Sequence, residues 1–268
     1  MAPTAITPPP PSHVVDGTLP LPRILCLHGG GTNAKIFRAQ CRTLRPQLSN
    51  HFRLVFADAP FLSGPGPDVE SVFAEWGPFR SWARPAVRST PGSWGLGSLD
   101  VGAVDRSLMA AMAADDAAGA TGRWVGLLGF SQGAKTAGCL LLRQQLQNAT
   151  TNSHFHDARN ESALRAPGDP REVDFRFAVL MAGRGPLVLL EEGPETDQRL
   201  QLRLPTIHVH GTRDRDLAKH RELLHRDCEK GSTRLIEWDG AHQVPTKGKD
   251  VALVVAAILD VARETGAI

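Results

Sequence analysis

The chain has 268 residues, 41% of them hydrophobic, enough for the core of a single α/β domain. A formal charge of +2 with a pI near 8.5 excludes the basic field that a nucleic-acid partner would demand. Four scattered cysteines without Cys-x-x-Cys spacing argue against a metal centre and for buried thiols in a reducing compartment, and no apolar run reaches membrane-spanning length.

Residues 1–20 are rich in Pro, Thr and Ala, with Pro8 to Pro11 consecutive, which predicts a flexible leader ahead of one domain over 21–268. No basic start followed by an apolar core opens the chain, so no secretory signal is expected and a cytoplasmic protein is. Arg23–His28 reads as a buried strand feeding the loop Gly29-Gly30-Gly31. Asn33 can cap the following helix, whose apolar positions include Ile36, Phe37 and Leu44. Arg53–Asp58 is the second strand. Residues 59–98 carry many glycines and prolines with little periodicity, yet hold Phe61, Phe73, Trp76, Phe79, Trp82 and Trp94, too many aromatics for disorder. This excursion is expected to wall a pocket, with Phe61, Trp76, Phe79 and Trp82 as substrate-binding candidates; packing on its own aromatics is the alternative for each. A helix is expected from Ser98, as cap, to about Ala118.

Trp124–Phe130 is a short apolar run ending in Gly129-Phe130-Ser131-Gln132-Gly133 and passing into a helix that reaches about Gln147. Gly-x-Ser-x-Gly between a strand and a helix lifts a serine hydroxyl clear of a sheet edge, with helix amides behind it. A phosphate-binding turn is the competing reading, but the Lys-Ser/Thr ending that such a loop needs is missing. Residues 148–173 read as a flexible polar insertion; His154 and His156 within it lack a third ligand nearby. Phe175–Met181 and Pro205–Gly211 are further strands, then a helix from Leu217 to Glu229, the strand Thr233–Trp238 and a last helix from near Thr246. Strands alternating with helices imply a mainly parallel sheet covered on both faces.

Ser131, Asp214 and His242 each follow a strand, in the chain order Ser, Asp, His. A serine hydroxyl needs an imidazole to take its proton, and the imidazole needs a carboxylate to fix its tautomer. Asp216 competes with Asp214 for the acid's place. An oxyanion hole would come from the amide of Gln132 and one from the triple-glycine loop. Together His28-Gly29-Gly30-Gly31-Thr32-Asn33, Phe56–Phe61, Gly129–Gly133, His210-Gly211 with Asp214, and Gly240-Ala241-His242 resemble the fungal FSH-type serine hydrolases, a branch of the α/β-hydrolase fold, over about Leu21 to Ala262. The resemblance implies Ser131, Asp214 and His242 as triad, the Gly30 and Gln132 amides as hole, and no cofactor or metal. It further implies an acyl ester or thioester substrate, such as a polyketide-type chain presented by an acyl-carrier domain; from charge and hydropathy, no nucleic-acid or membrane partner is expected. A general carboxylesterase on small hydrophobic esters and a catalytically silent binding protein are the alternatives.

Overall fold

The computed structural model describes residues 16–67, 69–84, 100–152, 173–188 and 200–268. Six parallel strands form one sheet in the order β2-β1-β5-β6-β7-β8: β1 Arg23–Leu27, β2 Arg53–Ala57, β5 Trp124–Phe130, β6 Val173–Met181, β7 Thr206–Gly211 and β8 Thr233–Trp238. Their near-continuous apolar runs follow from burial on both faces. Along β1, Ile24 and Cys26 face one core and Leu25 and Leu27 the other, all at 0% exposure. The first core is closed by α1 (Ala34–Gln40), α2 (Leu44–Leu48) and α7 (Gly248–Glu264); the second by α4 (Val101–Ala117) and α5 (Gln132–Asn152). Arg23 ties α4 to the sheet, its Nη1 lying 2.6 Å from Asp116 and 3.3 Å from Asp115 while its guanidinium covers Trp124.

Several boundaries differ from the sequence reading for local reasons. Asp100, not Ser98, caps α4: its Oδ1 accepts from Ala103 N–H at 2.9 Å, the three-residue reach of an N-cap, and Ser98 lies outside the described residues. The expected first helix is two, broken between Cys41 and Thr43. α5 continues to Asn152, so the proposed insertion from 148 begins in helix; 153–172, with His154 and His156, lies outside the described residues. The expected helix over 217–229 is α6 (Leu217–Glu222) followed by one π turn, Leu223–Asp227. Of the leader, 1–15 lies outside the described residues, but 16–20 belongs to the fold, because Asp16 Oδ2 accepts from Arg53 at 2.6 Å. All four cysteines are buried and free.

The excursion after β2 contains structure that periodicity did not reveal. β3 (Phe61–Ser63) and β4 (Phe79–Ser81) pair antiparallel, with the short α3 (Glu70–Phe73) and a 3-10 turn, Ala74–Trp76, between them. Thr32 bridges to Arg80, so this hairpin is an extension of the loop after β1. The strand order reverses between β1 and β5, the switch point where α/β sheets open a crevice beyond their C-terminal strand ends. Both the triple-glycine loop and Ser131 sit there.

Candidate active site

Ser131 links β5 directly to α5 and takes φ +54°, a left-handed conformation rare outside glycine. Its amide donates to Met181 O at 2.8 Å, anchoring the bend to β6. The flanking glycines are steric requirements: a Cβ on Gly129 would lie 2.4 Å from Gly133 O, and one on Gly133 only 2.1 Å from Leu27 O. Gly133→Ala must therefore push α5 off β1. A loss of several kcal/mol is expected, and a melting temperature within a few degrees of the parent would refute this packing account.

Three side chains from three strand ends meet in line. His242 Nδ1 lies 2.7 Å from Asp214 Oδ2, and His242 Nε2 lies 2.9 Å from Ser131 Oγ. Because a carboxylate only accepts, Nδ1 carries the proton and Nε2 is left to accept from the serine hydroxyl. Asp214 is fully buried at its side chain, and its other oxygen accepts from Asp216 N–H at 2.9 Å. Asp216, the competing acid, instead pairs with Lys219 at 2.8 Å and Arg184 at 3.3 Å. Those hydrogen-bonded and charged neighbours, Lys219 first, hold its carboxyl below the usual range. Asp214, and not Asp216, therefore lies against the His242 ring.

The two loops beside the serine differ in how their backbone amides are used. Gly31 N–H donates to Arg80 O at 2.9 Å and Gly31 O accepts from Gly66 N–H at 2.9 Å, so the last glycine is engaged in the hairpin. Its φ of +71° and a hypothetical Cβ 2.2 Å from Gly66 N explain why no side chain fits. The amides of Gly30 and Gln132 donate to no described residue, and both residues are half-exposed. Gln132 opens α5, whose N-terminal dipole favours negative charge beside Ser131.

The loop carrying Gly30 is held rigidly from below. Ala59 N–H donates to His28 Nε2 at 3.0 Å, which leaves the proton on Nδ1 to reach Gly29 O at 2.8 Å. Trp82 Nε1 donates to His28 O at 2.8 Å. The Gln132 side chain clasps the hairpin from the other side: Oε1 accepts from Trp82 N–H at 2.9 Å and Nε2 donates to Ser81 Oγ at 3.0 Å. Sequence reading missed Ser81 and the Gln132 side chain, since nothing local marks either.

The aromatic candidates separate. Trp82 is 0% exposed and packed in the core beside Leu27, so it is corrected from pocket wall to buried support of the glycine loop. Phe61, Trp76 and Phe79 are half-buried. Trp76 packs on Phe73 at 5.3 Å beneath Lys35 Nζ at 4.4 Å, and its carbonyl accepts from Asn33 Nδ2 at 2.6 Å, which fastens the excursion to α1. Arg84 lies over Phe61 at 5.1 Å. Trp94 and Arg88 lie outside the described residues.

From the partly exposed His242 a file of imidazoles runs inward through the buried His220, His210 and His208, with ring centroids 5.9, 5.6 and 5.9 Å apart in turn. Burial, the largest cause in each case, pushes His28, His210 and His220 down to about 4 and His208 to about 3. The unfolded chain therefore binds protons below about pH 6.5 that the folded chain refuses until about pH 4. Stability must fall as pH drops through that window, each histidine adding at most about 1.4 kcal/mol per pH unit. Denaturant melts between pH 6.5 and 4.5, above the carboxylate range, are expected to show this slope, made shallower by His208→Phe. Flat stability across the window would overturn it.

Comparisons with known proteins place the chain in a family. The model of the family described as "Serine hydrolase (FSH1)" matches residues 19–254. "Esterase pigG" of Monascus ruber is 52% identical over 274 residues, covering 94% of this chain and 95% of that protein. A "Probable esterase" of Aspergillus terreus is 53% identical over 252 residues, covering 92% and 91%. Among solved structures, Zea mays acyl-protein thioesterase 2 superposes with a TM-score of 0.50 at 20% identity, covering 92% of this chain and 96% of that one, a likeness of fold.

Proposed function

We propose, from the premise that this chain belongs to the FSH1 serine hydrolase family and is an esterase-class enzyme, that it cleaves an acyl ester or thioester through an acyl-Ser131 intermediate. The carrying observation is the line Ser131 Oγ–His242–Asp214 at 2.9 and 2.7 Å. His242 Nε2 takes the hydroxyl proton as Oγ attacks the acyl carbon. The oxyanion gathers the Gly30 and Gln132 N–H groups, and His242 returns the proton to the departing oxygen or sulfur. Water, deprotonated by the same nitrogen, then releases the acid and restores Ser131.

The substrate we assign is a hydrophobic, polyketide-type acyl chain of secondary metabolism, released from an acyl-carrier domain. Half-buried Phe61, Trp76 and Phe79 flanking the glycine loop support an apolar acyl group. One observation favours a plain carboxylesterase instead. An acidic carrier would need free cations near the site, and four on the excursion and after β7 are already paired: Arg84 with Asp100, Arg213 with Asp239, Arg221 with Glu237 and Lys219 with Asp216. The test compares kcat/KM for a carrier-bound acyl thioester and the ethyl ester of the same acyl group, at low and high salt. A preference for the carrier that weakens with salt is expected. Equal, salt-independent values would leave the carboxylesterase.

A further inference from the structure

We infer that Asp214, His220 and His242 form an inhibitory site for Zn²⁺, through which the ion switches the hydrolase off reversibly. One donor atom from each residue lies within 4.8 Å of the other two. His242 Nδ1 is 2.7 Å, and His220 Nε2 3.8 Å, from the same Asp214 oxygen. Points so spaced share a centre about 2.4 Å or less from each, beside Zn–N and Zn–O bonds of about 2.0–2.2 Å.

The second observation is His220 itself. It is fully buried on α6, and neither ring nitrogen has a hydrogen-bond partner. A buried imidazole left unpartnered beside a carboxylate is a preformed ligand, because a neutral ring nitrogen with no bond to surrender binds metal without a competing loss. Two imidazoles and one carboxylate suit Zn²⁺, whereas Mg²⁺ and Ca²⁺ need more oxygen ligands than these residues supply. The three donors leave a fourth position for water. His242 is 29% exposed at its side chain, so its ring edge is the route by which the ion enters.

Coordination at Nδ1 requires the lone pair there, so the proton of His242 moves to Nε2. Nε2–H can donate to Ser131 Oγ but can no longer accept its proton. The acyl site stays open while the base is lost, so kcat falls and KM does not.

The inhibition rests on the proposed role of His242 as base; the metal binding does not. Zinc chloride is titrated into the full chain in chelator-free buffer, with bound metal read by equilibrium dialysis and turnover read in parallel. One zinc per chain, a kcat loss of tenfold or more at constant KM, and full recovery with EDTA are expected. His220→Leu and His220→Asn should weaken zinc binding about tenfold or more. Their sensitivity, measured against each variant's own zinc-free rate, should fall in step, while the exposed His225→Ala matches the parent. Zinc bound through His220 without loss of turnover would keep the site and sink the assignment of His242 as base. No bound zinc, or binding and inhibition unchanged in both His220 variants, overturns the proposal. Should neither variant fold, ring NMR of the parent decides: zinc must shift the His220 and His242 signals and spare those of His51 and His225, and the reverse pattern overturns the site.

Discussion

Ser131→Ala should lower kcat/KM by roughly four to six orders of magnitude while leaving the melting temperature within a few degrees of the parent. The half-exposed hydroxyl accepts no packing load; the bend is held instead by the Ser131 amide on Met181 O and by the close approach of Gly133 to β1. Alanine does inherit a positive φ, as Ala182 does natively at φ +50° one strand away. What remains should be the modest catalysis of the two amides and substrate binding. A fluorophosphonate probe should label the parent and not the variant. A folded variant with near-parental turnover would remove Ser131 from its assigned role.

Asp214→Asn should be nearly as damaging, about 10⁴-fold, the scale on which a wrong imidazole tautomer acts in other serine hydrolases. An amide can present its NH₂ to His242 Nδ1, which places the ring proton on Nε2 and turns it away from accepting the Ser131 proton. Burial leaves no water to substitute, because the Asp214 side chain is fully enclosed. Asp216→Asn should cost no more than a few-fold in rate, since its partners are Arg184 and the exposed Lys219, pairs worth little in solvent. Steady-state kinetics of both variants would separate the carboxylates, and the opposite ranking would show that Asp216 orients the base.

The parts of this site legible in sequence are those that local sterics dictate. Gly129 must be glycine because a Cβ there would lie 2.4 Å from Gly133 O in the same turn, although Gly133 owes its own requirement to β1, whose Leu27 O would lie 2.1 Å from a Cβ. The strands were legible because both faces are buried, which gives unbroken apolar runs. The hairpin β3–β4 was not, because three-residue strands carry no period and their anchor, the Thr32–Arg80 bridge, lies about fifty residues apart in the chain. Trp82 shows the same limit from the other side. An aromatic residue in a glycine-rich stretch reads alike whether it lines a cavity or fills the core, and only the indole N–H on His28 O distinguishes them. His220 gave no sign at all: nothing in its own helix announces which buried neighbour its ring will meet.

The grip of Gln132 on the hairpin divides the protein into a part that must stay fixed and a part free to diversify. The backbone of Trp82 and the hydroxyl of Ser81 are tied to the residue that directly follows Ser131. Leu62 and Val72, on the same excursion, are 65% and 69% exposed and carry no such tie. A library randomised at the outward positions can therefore be searched for new acyl preferences without disturbing the chemistry, whereas one that includes Ser81 or Gln132 should return mostly inactive clones.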